Sequence, residues 1–369
     1  MSAPETVASV SREAPPDREA KQGWRSSMRI VRVETHGDEW DAFVQAARGA
    51  TAYHRFGWKS VFTESFGHPC HYLAAVDEDG TWRGVLPLVH LQSRMFGNFL
   101  VSLPFVNYGG LLCDSEAAEA MLLEEAERIR RSCGAAYTEL RHVTHVARKL
   151  PTRRHKVTMI LGLASSEEAQ WKAFDAKLRN QIRKAQKNGL EVRRGGLECL
   201  DGFYEVFARN MRDLGTPVYS KDFFRKALSV FPETTSIVEV THQGRTIAAG
   251  IASWFGHTLE VPWASSIKDY KALCPNHMLY WNAICFAIKG GFREFDFGRS
   301  TPDEGTYKFK EQWGALPVQL NWQYLIDEGG RLPDLSPGNP KYRAAIGVWR
   351  RLPLTLTKVL GPLIVRNIP

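Results

Sequence analysis

The sequence lacks any uninterrupted apolar run long enough to cross a bilayer, which takes roughly 18 residues. The first 27 residues also lack the apolar segment of a secretory signal, and they carry proline and charge instead. These two absences argue against an integral membrane protein and against a signal-led secreted protein. We therefore expect a cytoplasmic protein in which residues 1–27 form a disordered leader.

Cysteines at metal-binding spacing are missing as well. The six cysteines are scattered without a CxxC pair, and several lie in apolar patterns, which is typical of reduced, buried thiols. The nearest metal-like clusters are HPCH at 68–71 and HVTH at 142–145, and neither has a second ligand pair at a usable spacing. We expect no metal site.

Acidic residues are scarce between Arg148 and Gly195. This segment holds thirteen Lys or Arg against four Asp or Glu, so its balance of +9 exceeds the +8 of the whole chain. Such a charge suits an anionic partner, for example a nucleotide, a cofactor phosphate, RNA or a lipid surface. A solvated helix face explains the same charge equally well, and the sequence leaves both explanations open.

The chain has the composition of a soluble globular protein, with 369 residues, 44% of them hydrophobic and 24% charged. This length suits about two domains. The predicted elements repeat: each half has helices, then several β-strands, a further helix and a last strand. RIRRSCGAAYTELR in the first half and CFAIKGGFREFDFG in the second both read as a helix, a small-residue break and a strand that ends in charge. Two copies of one α/β unit explain this order.

A basic helix is predicted between the two copies, over residues 165–189. Ser165 and Glu168 form a capping-box pattern, and Gly189 is a natural end. Arg179 and Arg183 fall outside the apolar stripe, so the helix is expected to dock on one side and present positive charge on the other. The stripe consists of Trp171, Phe174, Leu178, Ile182 and Ala185.

Two motifs and the duplication carry a resemblance to a known family. DFGRSTPDEGTYKFKEQWG at 296–314 resembles the ending of the FemAB group of aminoacyl-transferases, in which a strand and turn precede an aromatic, Phe-Lys, aromatic-Gly pattern. KLRNQIRKAQKNGLEV resembles the Arg-x-x-Ile-Arg-Lys-Ala segment of that group. Each half resembles the GNAT acyltransferase fold. The resemblance implies an α/β (α+β) protein of two tandem GNAT-like domains, each a mixed, mostly antiparallel sheet flanked by helices.

The same resemblance sets the expected boundaries. A first GNAT-like domain over 28–164 would shape or bind the acceptor, and a second over 165–330 would carry the reaction. Residues 331–369 would form a basic amphipathic tail. SLPFVNYGGLL and this tail resemble a subgroup that accompanies exosortase (PEP-CTERM) exopolysaccharide systems of Gram-negative bacteria, which implies work on a cell-envelope or exported polymer precursor.

The tail places Trp349 beside Arg350 and Arg351. A basic amphipathic end of this kind could lie on an anionic inner membrane as a peripheral contact. Pro353 and Pro362 prevent a spanning helix, and packing across the second domain is the alternative use of the tail.

A glycine-rich turn after the fourth GNAT strand is missing. In acetyl-CoA enzymes that turn holds the pyrophosphate through consecutive backbone N–H groups, but the corresponding segment KDYKALCPNHMLYW contains no glycine. Asn276 could cap the helix there, and His277 is a candidate donor contact or acid–base group. No bound cofactor is expected, and the co-substrate stays open between acyl-CoA and aminoacyl-tRNA, the donor that the FemAB resemblance implies.

Lys310 is our candidate for stabilising the reaction's developing charge. Acyl transfer to an amine passes through a tetrahedral intermediate whose oxygen becomes negative, and a fixed cation near that oxygen lowers the barrier. Lys310 lies between Phe309 and Trp313 and shares a helix face with Tyr307. Lys308 lies roughly 200° around the helix and should not share this role. The alternative for Lys310 is a surface lysine that covers the aromatics.

Asp296 and Arg299 close the predicted strand, and carboxyl ends of strands in open α/β sheets commonly bind ligands. Asp296 could hold the incoming amine or accept its proton, and Arg299 could clamp a phosphate or carboxylate. An Asp296–Arg299 pair that fixes the turn is an equal alternative. The further candidate binding residues are Ser300, Lys308, Trp263 and Tyr280, of which the last two are also candidates for the core.

The sequence thus predicts an acyltransferase that forms an amide on an amine-bearing envelope or polysaccharide precursor. The alternative is a catalytically silent module in which a duplicated GNAT fold and its basic helix bind RNA or an anionic polymer.

Overall fold

A computed structural model describes residues 28–143, 150–332 and 340–368 of the chain, without the side chains of 340–344. The predicted leader at 1–27 lies outside the described residues, as does His145 of the HVTH pattern. All six cysteines are free thiols, and Cys199 and Cys274 are buried. Within the described ranges, no helix combines the length and the apolar character needed to span a bilayer.

Fifteen strands form two sheets in the described part of the chain. The first sheet contains β1 (Arg29–Arg32), β2 (Cys70–Val76), β3 (Trp82–Ser93), β4 (Gly97–Val101), β5 (Leu112–Cys113), β6 (Tyr137–His142), β7 (Thr152–Arg153) and β15 (Asn321–Ile326). The second contains β8 (Val157–Gly162), β9 (Glu191–Gly195), β10 (Thr235–His242), β11 (Arg245–Phe255), β12 (Thr258–Ser266), β13 (Glu294–Ser300) and β14 (Leu316–Gln319).

Helices flank both sheets. Those of the first half are α1 (Gly37–Ala46), α2 (Trp58–Phe66) and α3 (Glu116–Ser132). The later ones are α4 (Glu167–Ala173), α5 (Ala176–Lys187), α6 (Leu200–Leu214), α7 (Lys221–Val230), α8 (Pro275–Lys289), α9 (Gly305–Glu311), α10 (Pro340–Trp349) and α11 (Leu354–Val365).

Both sheets are mixed. The first runs in the order β1-β2-β3-β4-β6-β15-β7, with β5 beside β3, and the second in the order β14-β8-β13-β12-β11-β10-β9. Each has one parallel pair, β4 with β6 and β12 with β13, among antiparallel neighbours. The predicted fold of two mixed, mostly antiparallel sheets flanked by helices is confirmed.

The two sheets exchange strands across the predicted domain boundary. β8 precedes residue 165 in the chain but pairs with β13 in the second sheet. β15 lies before residue 330 but pairs with β6 in the first sheet. Because each half supplies a strand to the other half's sheet, backbone hydrogen bonds fasten the halves together. The domain boundary at 164/165 stays a prediction. Each of the two sheets contains strands from both sides of that position.

An apolar core also joins the halves. Trp58 of α2 packs against Phe231 with ring centroids 5.3 Å apart, and Phe66 packs against Phe223 of α7 at 5.2 Å. Aromatic pairs of this kind contribute beyond their buried area. The two halves therefore share one apolar core.

The prediction of one continuous helix over 165–189 is wrong, because the chain forms α4 and α5 with a break between them. The Asp175 side chain accepts a hydrogen bond from the Leu178 backbone N–H at 2.6 Å and caps a new helix. Ser166, rather than the predicted Ser165, caps α4. Asp competes with a continuous helix by bonding to nearby backbone, which is the physical reason for the break.

Candidate active site between the two halves

The site lies where two parallel strands separate. β12 and β13 pair only over 258–260 and 294–296, and β13 then bends at Gly298, whose φ is +74°. A Cβ atom at Gly298 would lie 2.8 Å from the Asn107 side chain, so both the conformation and the space require glycine. The bend lets Asp296 and Arg299 face the first half together, although residues three apart in a regular strand point to opposite sides.

Asp296 is buried and holds three donors. Its Oδ1 accepts from the Thr158 hydroxyl at 2.6 Å and from the Gly298 backbone N–H at 2.7 Å, and its Oδ2 accepts from the Tyr108 hydroxyl. Burial raises the pKa of Asp296, and the Thr158 and Tyr108 hydrogen bonds oppose that shift. The first half of the chain thus completes the surroundings of a carboxylate from the second half.

Glu260 forms a buried carboxylate pair with Asp296, because the two residues are directly paired between the adjacent strands β12 and β13. Its Oε1 accepts from the Asn107 amide at 2.5 Å. Burial and the neighbouring Asp296 raise the pKa of Glu260 to about 8. Two carboxylates on strands roughly 4.8 Å apart cannot both ionise cheaply. Asp296 has more donors, so we assign the anion to Asp296 and the retained proton to Glu260.

Lys310 reaches the same place from α9. It is only 8% exposed, and its ammonium donates to the Gly298 and Arg299 carbonyl oxygens at 2.9 and 3.0 Å. Burial lowers the pKa of Lys310 to about 8, although the Asp296 and Glu260 carboxylates oppose the shift. The two carbonyls leave one of the three ammonium N–H groups for another acceptor. Lys310 is therefore buried at the site, and the alternative of a surface lysine is wrong.

Arg299 faces the first half without a carboxylate partner among the described residues. Its guanidinium carbon lies 5.3 Å from the Trp322 ring centroid, and Arg141 approaches the same ring at 4.5 Å. Arg141 is paired with Glu139 at 2.7 Å. Burial, and then the Arg141 charge, lower the pKa of Arg299 to about 10. The alternative of an Asp296–Arg299 pair that fixes the turn is not what the structure contains.

A cleft of about 300 Å³ opens between the halves beside this carboxylate pair. Gly49–Ala52 and Tyr108 line it from the first half, and residues of both strands line it from the second. Tyr53 is buried, and its ring packs edge-on against Tyr108 with centroids 5.6 Å apart. Burial, and then the nearby Glu260, raise the pKa of Tyr53. The polar side chains of the cleft wall are Thr51, Tyr108, Thr158, Ser253, Thr258, Glu260, Glu294 and Asp296.

The turn before α8 contains no glycine, and a different residue adopts the left-handed backbone conformation there. Cys274 has a φ of 60°, and α8 begins directly after it with Pro275. The predicted cap at Asn276 is wrong, because Asn276 is the second residue of the helix and Cys274 stands at the cap position. Pro275 has no backbone N–H, which removes one donor that a pyrophosphate at this helix end would use.

The basic helix α5 packs beside that turn. Gln181 of α5 accepts from the Cys274 thiol at 2.9 Å, and the Asn188 amide donates to the Leu273 carbonyl at 3.4 Å. Arg183 is exposed and lies over the Trp171 ring at 5.3 Å. Arg179 is partly buried, and its Nε has no hydrogen-bond partner among the described residues.

The remaining sequence candidates lie at different depths. His277 is half-buried between Phe309 and Trp313, at centroid distances of 5.5 and 6.1 Å, and burial lowers its pKa to about 4. Both ring nitrogens lack hydrogen-bond partners among the described residues. Ser300 is buried and its hydroxyl is likewise unpaired there.

The other four candidates divide between surface and core. Tyr307 is half-buried on α9 and Lys308 is exposed. Trp263 packs edge-on to Phe224 at 5.5 Å in the core shared by both halves. Tyr280 packs with Phe297 at 5.1 Å beneath β13. Among the sequence candidates, the structure therefore brings Asp296, Lys310 and Arg299 together, whereas Trp263 and Tyr280 lie in the core.

Sequence reasoning missed five polar residues of the site. Glu260 is one acid inside the apolar strand TLEVPWASS, a pattern that signals a buried charge with a function or a partner. The first-half residues gave no comparable signal, because only the packing of the halves brings them to β12 and β13. The missed residues are Glu260, Tyr53, Asn107, Tyr108 and Thr158.

Comparisons with known proteins agree with this fold. Residues 172–311 match the acetyltransferase (GNAT) domain family. The fold is similar to the crystal structure of FemX, with a TM-score of 0.64 and 15% identity over 79% of this chain and 96% of that one. It is also similar to a tandem GNAT protein from the clavulanic acid biosynthesis pathway, with a TM-score of 0.52 and 11% identity over 83% and 100% of the two chains.

A third similar structure is L-PGS from Bacillus licheniformis, with a TM-score of 0.51 and 12% identity over 85% of this chain and 95% of that one. No curated protein matches the sequence. The likeness to FemX confirms the resemblance to the FemAB group at the level of the fold. The chain therefore has the fold of tandem GNAT proteins, similar to that of FemX, and its residues 172–311 match the acetyltransferase (GNAT) domain family.

Proposed function

We propose that the protein transfers an aminoacyl or acyl group to an amine, forming an amide on a cell-envelope or exopolysaccharide-related precursor. The observation that carries this proposal is the convergence of Asp296, Glu260 and Lys310 at the point where β12 and β13 separate. Two buried carboxylates and a buried ammonium line or adjoin one cleft, a set that can handle both an amine and an oxyanion.

The carboxylate pair serves the acceptor. Ionised Asp296 attracts the acceptor's ammonium group into the cleft and takes the proton whose loss leaves the neutral amine. The amine nitrogen then forms the new bond to the acyl carbon and gives up its N–H proton. The bond from the acyl carbon to the donor's oxygen or sulfur breaks, and the leaving group departs with a proton.

Lys310 serves the oxyanion. Its position is fixed by the Gly298 and Arg299 carbonyls, so its remaining N–H can meet the developing charge without reorganisation. Tyr307, on the same helix, helps to arrange the substrates. Because Lys310 is buried, few waters compete for it, and its charge acts at a low effective dielectric.

The donor approaches from the side of α5 and α8. Arg179 and Arg183 place positive charge beside the turn at Cys274, while Pro275 and the absence of glycine leave few backbone N–H groups for a pyrophosphate. Asn276 and His277 at the start of α8 complete this side. These features favour a donor held through side-chain cations, as in aminoacyl-tRNA, over acyl-CoA.

Arg299 holds an anionic group of a substrate. A largely buried guanidinium without a carboxylate partner costs several kcal/mol unless an anion compensates it. A phosphate or carboxylate seated against Arg299 would face Trp322 and lie close to Lys310. Such a contact would orient the substrate relative to the carboxylate pair.

Competition binding tests the proposal. The purified protein is offered acetyl-CoA, uncharged tRNA and aminoacyl-tRNA, each at low and high salt. Tighter binding of aminoacyl-tRNA than of uncharged tRNA would support a site that reads the acyl group. Binding of acetyl-CoA alone would identify an acyl-CoA enzyme. Equal binding of all RNA, only at low salt, would favour the non-catalytic RNA or polymer binder instead.

A further inference from the structure

Helix α11 buries one face against the protein and leaves three large apolar side chains exposed on the other. Thr357, Gly361 and Val365 are buried and define the docked face. Leu356, Val359 and Leu363 are 40%, 64% and 60% exposed. These three are spaced by three and four residues, so they form one stripe on the outer face. Burial in the chain's own core does not explain this arrangement, because the leucines face away from it.

Exposed apolar side chains are also found on two other helices. Val348 of α10 is exposed, and so is Leu214 at the end of α6. The Arg350 guanidinium donates to the Leu214 carbonyl at 3.1 Å, which joins α6 to the turn between α10 and α11. We call the five residues of this surface the apolar face: Leu214, Val348, Leu356, Val359 and Leu363. Exposed apolar side chains on neighbouring elements are typical of a contact site.

The C-terminal segment that carries most of the apolar face has charge of one sign. Residues 340–369 contain no Asp or Glu. Arg350 and Arg351 are exposed, and no carboxylate pairs with either among the described residues. The basic residues of this segment are Lys341, Arg343, Arg350, Arg351, Lys358 and Arg366. An apolar stripe bordered by cations fits a surface that is apolar within and negative at its boundary, which is the chemistry of an anionic lipid bilayer.

The helix is fixed before any partner arrives. Lys358 pairs with Glu205 of α6, and Arg366 donates to the Phe66 carbonyl of α2. The Arg366 carbonyl lies 2.7 Å from the His68 ring nitrogen. A Cβ atom at Gly361 would come within 2.8 Å of the Val218 backbone, so α11 lies tightly against the second half. Contacts to both halves therefore hold the apolar face in place, and binding need not order it.

We infer that the apolar face and the adjoining arginines dock the protein on an anionic bilayer surface, with α11 lying in the plane of the interface. The leucine and valine side chains enter the boundary of the acyl chains, and Arg350 and Arg351 meet the lipid phosphates. This inference does not depend on the acyl-transfer proposal, since it rests on a different surface.

Vesicle co-sedimentation of the full chain tests the inference. Vesicles of phosphatidylcholine with a third phosphatidylglycerol are compared with pure phosphatidylcholine, at low and high salt. We expect binding to the anionic vesicles that weakens as salt rises. The triple variant L356S, V359S, L363S should bind roughly 100-fold more weakly, since each buried methylene contributes to membrane affinity. R350Q, R351Q should bind roughly tenfold or more weakly.

Controls make the result decisive. M95S removes a more exposed apolar side chain, 83% exposed, from another surface and should bind like the wild type. Circular dichroism and thermal unfolding show whether the triple variant keeps its fold. Absence of wild-type binding, or equal binding to neutral and anionic vesicles, would overturn the inference. So would a wild-type dimer in analytical ultracentrifugation that the triple variant abolishes, because the face would then bind a second copy. No acyl donor is used, so failure here leaves the proposed reaction untouched.

Discussion

Replacing Lys310 with methionine should abolish most of the turnover while leaving the fold intact. Methionine has a similar length and no charge, so it removes the proposed oxyanion contact without emptying the position. Loss of one oxyanion-stabilising donor typically lowers kcat by about 10²–10³-fold. Because Lys310 is proposed to act on the transition state, kcat should fall and KM should change little.

The stability change can be worked out from the burial of Lys310. Holding the cation costs about 3 kcal/mol at pH 7, given a pKa lowered from 10.5 to about 8. Methionine removes that cost but leaves the Gly298 and Arg299 carbonyls without their donor, at about 1–3 kcal/mol each. The two effects offset each other to within a few kcal/mol, so the melting temperature should shift by only several degrees.

The assay is amide formation from the donor that competition binding identifies, with a simple primary amine at saturating concentration. Glu311→Met places the same side chain at the next, exposed position of α9 and serves as the matched control. A Lys310→Met enzyme that keeps turnover within about threefold of the wild type, with its fold intact, would refute the assignment. In terms of the activation free energy, each tenfold change in turnover corresponds to about 1.4 kcal/mol.

Four further predictions concern the charged groups of the site. Turnover should fall as pH rises through about 8, because Glu260 then loses its retained proton and Lys310 loses its charge, both with pKa values of about 8. Glu260→Gln cannot ionise and should make that fall shallower, which a pH–rate profile measures. The folded-state pKa of Glu260 lies above the unfolded one, so its ionisation lowers stability as pH rises from about 4.5 to 8, and denaturation at pH 9 should find Glu260→Gln more stable than the wild type. Asp296→Asn keeps an acceptor for Thr158 and should lower kcat at least tenfold with a small change in melting temperature; unchanged kinetics would remove Asp296 from the mechanism. Arg299→Met should raise the KM for one substrate and weaken the salt dependence of that KM, without loss of stability. A variant whose KM equals that of the wild type at every salt concentration would contradict an anion contact.

Part of the site could be predicted from the sequence because its residues lie close together in the chain. Asp296, Arg299 and Lys310 lie within fifteen residues of one another, on a strand, a turn and a helix whose patterns are local. Strand alternation and helical spacing are local patterns, so the sequence directly predicts the elements on which these residues lie. The same reasoning failed at Ser165 and Asn276, because the neighbouring Ser166 caps α4 and Cys274 stands at the cap of α8. Caps compete over one or two positions.

By itself the sequence determined the repeated α/β pattern, the basic helix face and the charged turn after β13, because residue order and periodicity encode them. Only the tertiary structure decided the strand exchange of β8 and β15, since either strand could satisfy its backbone groups in either sheet. The same holds for the pairing of Glu260 with Asp296 and for the approach of Asn107 and Tyr108, contacts that join residues about 36 to 190 positions apart. The outward leucines of α11 depend on the fold in the same way, because a helical stripe shows that a helix has an apolar face but not which face the rest of the protein will cover.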